Sequence, residues 1–127
     1  MIKTTIEEIL KSADVLNDLV ARQLKAKTAY HVARLAREVN REAQLFEEER
    51  TKLVEKYAEK DENNKLKIGE NGNISVAKEN LENYVKEITE LTKSEIELNV
   101  EPLELSDLGE EDFTAQQMEN LMTFIKE

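Results

Sequence analysis

Apolar residues recur through the middle of the chain at a strict heptad spacing. Val32, Ala36, Val39, Ala43, Phe46, Arg50, Leu53 and Tyr57 follow one another at alternating intervals of four and three residues, and only Arg50 departs from the apolar set. A period of 3.5 residues belongs to helices that pack along their length. The stripe predicts a long second helix over residues 29–58, about 45 Å from end to end at 1.5 Å per residue. It also predicts a contact surface for a partner helix.

A shorter first helix is expected to start at Thr5. Thr5 and Glu8 form a T-x-x-E capping box, and Ile6, Ile9, Leu10, Ala13, Leu16, Val20 and Leu24 share one apolar face. Lys25-Ala26-Lys27 interrupts that face, and Thr28 is the expected N-cap of the second helix. No Gly or Pro forces a break, so a continuous helix through 25–28 is the alternative. An antiparallel hairpin leaves Phe46 to Tyr57 beyond the reach of the first helix. A third helix or a second copy of the chain must cover that stretch.

Beyond Asp61–Asn64 the period changes. Lys65-Leu66-Lys67-Ile68 and Ile74-Ser75-Val76 alternate around an Asn71-Gly72 turn, which predicts a β-hairpin over residues 65–76. A hairpin is marginal alone and needs a further strand or a helix. A third helix follows over residues 78–93, with Leu81, Tyr84, Val85, Ile88 and Leu91 on its face. Ile96, Leu98 and Val100 then alternate with Glu97 and Asn99 as a strand that Pro102 ends, a possible third strand for the hairpin. Leu103 to Asp112 reads as loop. Thr114 and Gln117 form a second capping box, opening a last helix with Met118, Leu121, Met122 and Ile125 facing inward. The expected fold is mainly α (α+β): a long N-terminal helical hairpin or coiled coil, a small β-hairpin or three-stranded sheet, and a C-terminal helix. We expect one domain over 1–127, with the helical hairpin in 1–58 and an acidic α+β part in 59–127.

Charge divides the chain unevenly. The net charge is −10. Residues 1–58 hold 11 basic and 10 acidic side chains, whereas residues 59–127 hold 7 and 18. No Lys or Arg lies between Ser94 and Ile125, a window that carries Glu95, Glu97, Glu101, Glu104, Asp107, Glu110, Glu111 and Asp112. Such a surface disfavours direct phosphate binding. It is either a solvated face that opposes aggregation or a site for a basic partner. The absence of Cys excludes disulfides and thiolate metal sites. No apolar run approaches the roughly 18 residues of a membrane span, and acids occupy the place of a signal peptide's apolar region.

Several stretches together resemble a group of small phage and prophage proteins of unknown function, the DUF1617-like group. They are AYHVARLAREV, FEEERTKLVEKYAEKDENN, NGNISV, KEITELTKSEIELNVEPLELSDL and TAQQMENLMTFIKE. Together they span most of the chain from about Leu16 onward. The turn EKDENN before a hairpin and the E-I-E-L strand before the SDL loop discriminate most. The segment K-D-E-N-N departs from the D-E-N-G expected of that turn. The resemblance implies a phage or prophage origin in a Gram-positive host, and it carries no catalytic or binding residues to transfer.

Candidate chemistry is sparse. His31 is the only histidine, so it cannot build a histidine-based metal site, and it anchors no Ser or Cys triad, since Cys is absent and no nucleophile stands out. Asp61–Asn64 fails as a calcium loop, because Lys65 and Leu66 stand where an oxygen ligand and Gly are needed. Gly69 and Gly72 lack the Lys and helix N-terminus of a phosphate loop and read as turn residues. Glu47, Glu48 and Glu49 point in different directions from one helix and cannot act as a catalytic acid pair. Arg34, Arg37 and Arg41 lie on one flank, where ion pairs to Glu38 and Glu42 account for most of their charge. Arg50 either sets register at the stripe or lays its stem along it.

The expected function is non-enzymatic and cofactor-free: protein–protein contact by a phage accessory protein, in virion or tail assembly or in host manipulation. The expected partners are a second copy of the chain and another phage or host protein, with no membrane. The expected place is the host bacterial cytoplasm or the virion. The alternative is an inhibitor that mimics DNA with its acidic half and blocks a nucleic-acid-binding enzyme.

Overall fold

The computed structural model describes residues 1–58, 80–109 and 111–126. The fold is mainly α with some β. The expected β-hairpin over 65–76 lies outside the described residues. The chain forms two units, one built from Met1–Gln44 with Ser94–Glu127 and the other from Leu45–Lys93.

The first unit starts with an element that the pattern did not predict, strand β1 (Ile2–Thr5), which leads straight into helix α1 (Ile6–Val20). Thr5 is the N-cap, its side-chain oxygen accepting from the Glu8 amide at 3.3 Å. The second half of the expected capping box is absent. The Glu8 carboxylate instead accepts from the Thr4 hydroxyl at 2.6 Å. Helix α1 ends at Ala21, whose amide bonds back to the Asp18 and Leu19 carbonyls. Helix α2 (Ala26–Tyr57) follows after a short connection. The break is real and lies earlier than expected. Lys25 rather than Thr28 starts the helix, its carbonyl accepting from the Ala29 amide at 2.8 Å. Thr28 is buried in the first turn.

Helices α1 and α2 pack against each other over the start of α2. Ile9, Val15, Leu16 and Leu19 share one core with Val32, Leu35, Ala36 and Val39. Asn17 and Asn40 seal the edge of that contact, exchanging side-chain amide hydrogen bonds at 3.0 and 3.4 Å. Leu35 is fully buried and was not part of the heptad stripe. Its position widens the stripe into the broad apolar face of a core helix, rather than the narrow seam of a coiled coil.

Strand β2 (Glu95–Leu98) pairs antiparallel with β1, with Ile2 opposite Leu98 and Thr5 opposite Glu95. The partner of this strand is thus the N-terminus. Leu103–Glu104 forms β3 and Leu105–Leu108 a 3₁₀ turn, where a loop was expected. Helix α4 (Ala115–Leu121) opens on the predicted capping box, with Thr114 and Gln117 bonded reciprocally at 3.1 and 2.9 Å. A 3₁₀ turn over Met122–Phe124 then shifts the phase of the chain before β4 (Ile125–Lys126), which pairs in parallel with β3. Phe124 is therefore fully buried, and Met122, expected to face inward, is exposed.

The second unit holds the far end of α2 and helix α3 (Leu81–Thr92). Lys56 on α2 reaches Glu87 on α3 at 3.7 Å, and the Asn80 side chain donates to the Tyr57 carbonyl at 3.4 Å. A third helix thus meets the end of α2 that α1 cannot reach.

Candidate interaction surfaces

The eight stripe residues have three environments. Val32, Ala36 and Val39 are buried in the core shared with α1, and Ala43 packs against it. Phe46 is buried in the second unit, and Arg50, Leu53 and Tyr57 are half-buried there. Most of the stripe is thus occupied within the chain. The guanidinium of Arg50 turns back onto its own helix, bonding Glu47 at 2.9 and 3.0 Å. That bond holds its pKa above the usual value, with a smaller contribution from the Tyr84 phenol on α3. Lys56 is likewise raised, first by its hydrogen bond to Tyr57 and then by the charge of Glu87.

Helix α3 has a marked apolar face, yet none of its residues is buried. Leu81 and Val85, one turn apart, are each 49% exposed, as is Leu45 on α2. Spacing of four residues places the two α3 side chains side by side.

In the first unit the acidic residues stay at the surface. Glu95, Glu97, Glu101, Glu104, Asp107 and Asp112 are exposed, Glu111 is half-buried, and Glu110 lies outside the described residues. Glu111 is drawn in by Arg22, a residue the sequence pattern did not mark. Arg22 bonds the Asp18 carboxylate at 2.7 and 3.1 Å, the Asp112 carbonyl at 2.9 Å and Glu111 at 3.4 Å. Its guanidinium lies over the Phe113 ring at 4.8 Å. The hydrogen bond to Asp18 is the main cause of its raised pKa. No sequence period joins residues this far apart, so only folding discloses the cluster.

Of the three flank arginines, Arg41 has the expected partners, with Glu38 at 2.7 Å and Glu42 at 3.9 Å. Arg34 and Arg37 are exposed and take no part in those pairs. His31 donates from Nε2 to the Glu101 carbonyl at 2.7 Å, pinning α2 to the segment after β2. A carbonyl only accepts, so Nε2 carries the proton. Among the described residues no group of three or more His, Asp or Glu could hold a metal ion, and no helix is long and apolar enough to cross a membrane.

A shallow cavity of about 480 Å³ lies over the β1–β2 sheet, lined by Lys3, Thr4, Thr5, Glu8, Glu95, Ile96 and Glu97. Three carboxylates and one ammonium face it.

Comparison with protein-family models, with curated proteins and with solved structures finds no match.

Proposed function

We propose that the chain is a non-enzymatic phage or prophage accessory protein that works by protein–protein contact, in virion or tail assembly or in manipulating the host. The carrying observation is α3, an amphipathic helix without one buried residue and with Leu81 and Val85 half exposed. Adjacent exposed apolar side chains on a regular element mark contact surfaces more often than singly scattered ones do. The phage setting comes from the resemblance in sequence. The partner is another phage or host protein. Self-association through α2 has less support, because α1 and α3 meet most of its stripe.

The test is affinity capture of the tagged chain from infected host cells, with mass spectrometry, beside a Leu81→Glu, Val85→Glu variant. Specific recovery of structural phage proteins, lost in the variant, favours assembly. Recovery of a defined host protein, lost in the variant, favours host manipulation. Equal recovery by both proteins removes α3 from the account.

A second reading, mimicry of DNA, is favoured by the exposure of Glu95, Glu97, Glu101, Glu104, Asp107 and Asp112 in a window without Lys or Arg. Capture of a host nuclease or polymerase, released by DNA, would favour it.

A further inference from the structure

The β1–β2 sheet has an open side whose direction follows from its register. The Ile6 amide donates to the Ser94 carbonyl at 3.2 Å, which continues the ladder by one step. In an antiparallel pair, bonded and non-bonded positions alternate. Ser94, Ile96 and Leu98 therefore turn their backbone groups toward β1. Glu95 and Glu97 turn their amides and carbonyls away from it. Among the described residues no strand pairs with that outer edge.

Side chains divide the sheet the other way. Leu98 is buried and Ile96 half-buried against the core, whereas Glu95 and Glu97 are exposed on the opposite face. Both line the cavity over the sheet with Glu8, and Lys3 is the one cation there. Glu8 accepts from Thr4, and neither Glu95 nor Glu97 has an ion pair among the described residues. Charges on an edge strand discourage pairing with like edges. Here they repel a second acidic copy of this chain and admit a basic strand.

We propose that the outer edge of β2 receives an extended segment of a partner protein as an added strand, with Lys or Arg alternating with apolar residues. The segment's backbone bonds Glu95 and Glu97, its cationic side chains meet Glu95, Glu97 and Glu8 over the cavity, and its apolar side chains extend the row of Ile96 and Leu98. Main-chain bonding supplies affinity in strand addition, and alternate side chains supply specificity. The proposal rests on the protein–protein reading above and names the chemistry of one partner.

The probe is a labelled nine-residue peptide alternating Lys and Val, added to the full chain. Fluorescence anisotropy is expected to show binding, and the Glu95 and Glu97 amides are expected to gain protection from hydrogen exchange. Glu95→Lys with Glu97→Lys, checked for intact helicity by circular dichroism, should weaken binding about tenfold or more, since two attractive cross-strand pairs become repulsive. Glu95→Gln with Glu97→Gln keeps size and fold and should weaken it several-fold. Three results would overturn the proposal: equal binding of an alternating Lys and Gly peptide, no new protection at Glu95 and Glu97, or amides there that are already protected in the free chain. A partner from infected cells that binds only through α3 would also overturn it while leaving the protein–protein reading standing. Peptide docking on β2 with no partner recovered would support the edge and count against the accessory role.

Discussion

Replacing Arg22 with Ala tests whether one side chain ties the segment before α4 to the end of α1. The guanidinium makes an i,i+4 pair with Asp18, a bond to the Asp112 carbonyl at 2.9 Å, and a stack on Phe113 at 4.8 Å. The helical pair contributes about 0.3–0.5 kcal/mol. The charged donor to Asp112 adds about 1–1.5 kcal/mol after discounting its partial exposure. The stack adds about 0.5–1 kcal/mol. The Glu111 contact, at 3.4 Å, is weaker and is left in the margin. The sum is about 2–3 kcal/mol, or about 6–12 °C in Tm at this chain length. Urea unfolding followed by circular dichroism measures it, and hydrogen exchange at the Glu111 amide, which donates to the Leu108 carbonyl at 3.0 Å, locates it. Near 1 M salt, where screening acts within about 3 Å, the ion-pair share should fade while the Asp112 and Phe113 share persists. A variant within about 0.5 kcal/mol of the parent, with unchanged exchange at Glu111, would refute the tie.

Phe124→Ala should cost about 3–5 kcal/mol in urea unfolding, whereas Met122→Ala should stay within about 0.5 kcal/mol, because the first is fully buried and the second is exposed. Thr114→Ala should cost about 1 kcal/mol through the lost α4 cap, with Thr114→Ser restoring most of it in the same assay. The raised pKa of Lys56 means that its contribution is present at neutral pH and is lost as the pH climbs through that raised value, above the ordinary 10.5. Lys56→Met should therefore remove part of the alkaline loss of helicity seen by circular dichroism, and an unchanged alkaline profile would count against the pairing with Tyr57 and Glu87.

Local signals located most of the helices and one strand. Hydroxyl caps at Thr5 and Thr114 mark where α1 and α4 begin, because each satisfies backbone donors within its own first turn. The apolar periods of α2 and α3 and the alternation of β2 likewise express side-chain geometry over a few residues. The candidate surfaces were only partly legible. The acidic run from Glu95 to Asp112 is plain in the sequence, but the Arg22 cluster and the open edge of β2 are not. Both depend on which distant segments meet.

The tertiary structure decided what local pattern leaves open. Ile2–Thr5 is too short to declare itself a strand, and it becomes one because Glu95–Leu98 lies beside it. The 3₁₀ turn at Met122–Phe124 rotates the helical phase, so Phe124 rather than Met122 enters the core. The heptad stripe of α2 asked for a partner without naming it. Periodicity records that one face of a helix is apolar, and it carries no information on what covers that face. Burial of Val32, Ala36 and Val39 against α1, and the interaction of Arg50 with Tyr84 on α3, supply partners from within the chain. What remains outward among the described residues, the half-exposed Leu81 and Val85 and the free outer edge of β2, could be identified only once that inner packing was known, because a contact surface is whatever the core leaves uncovered.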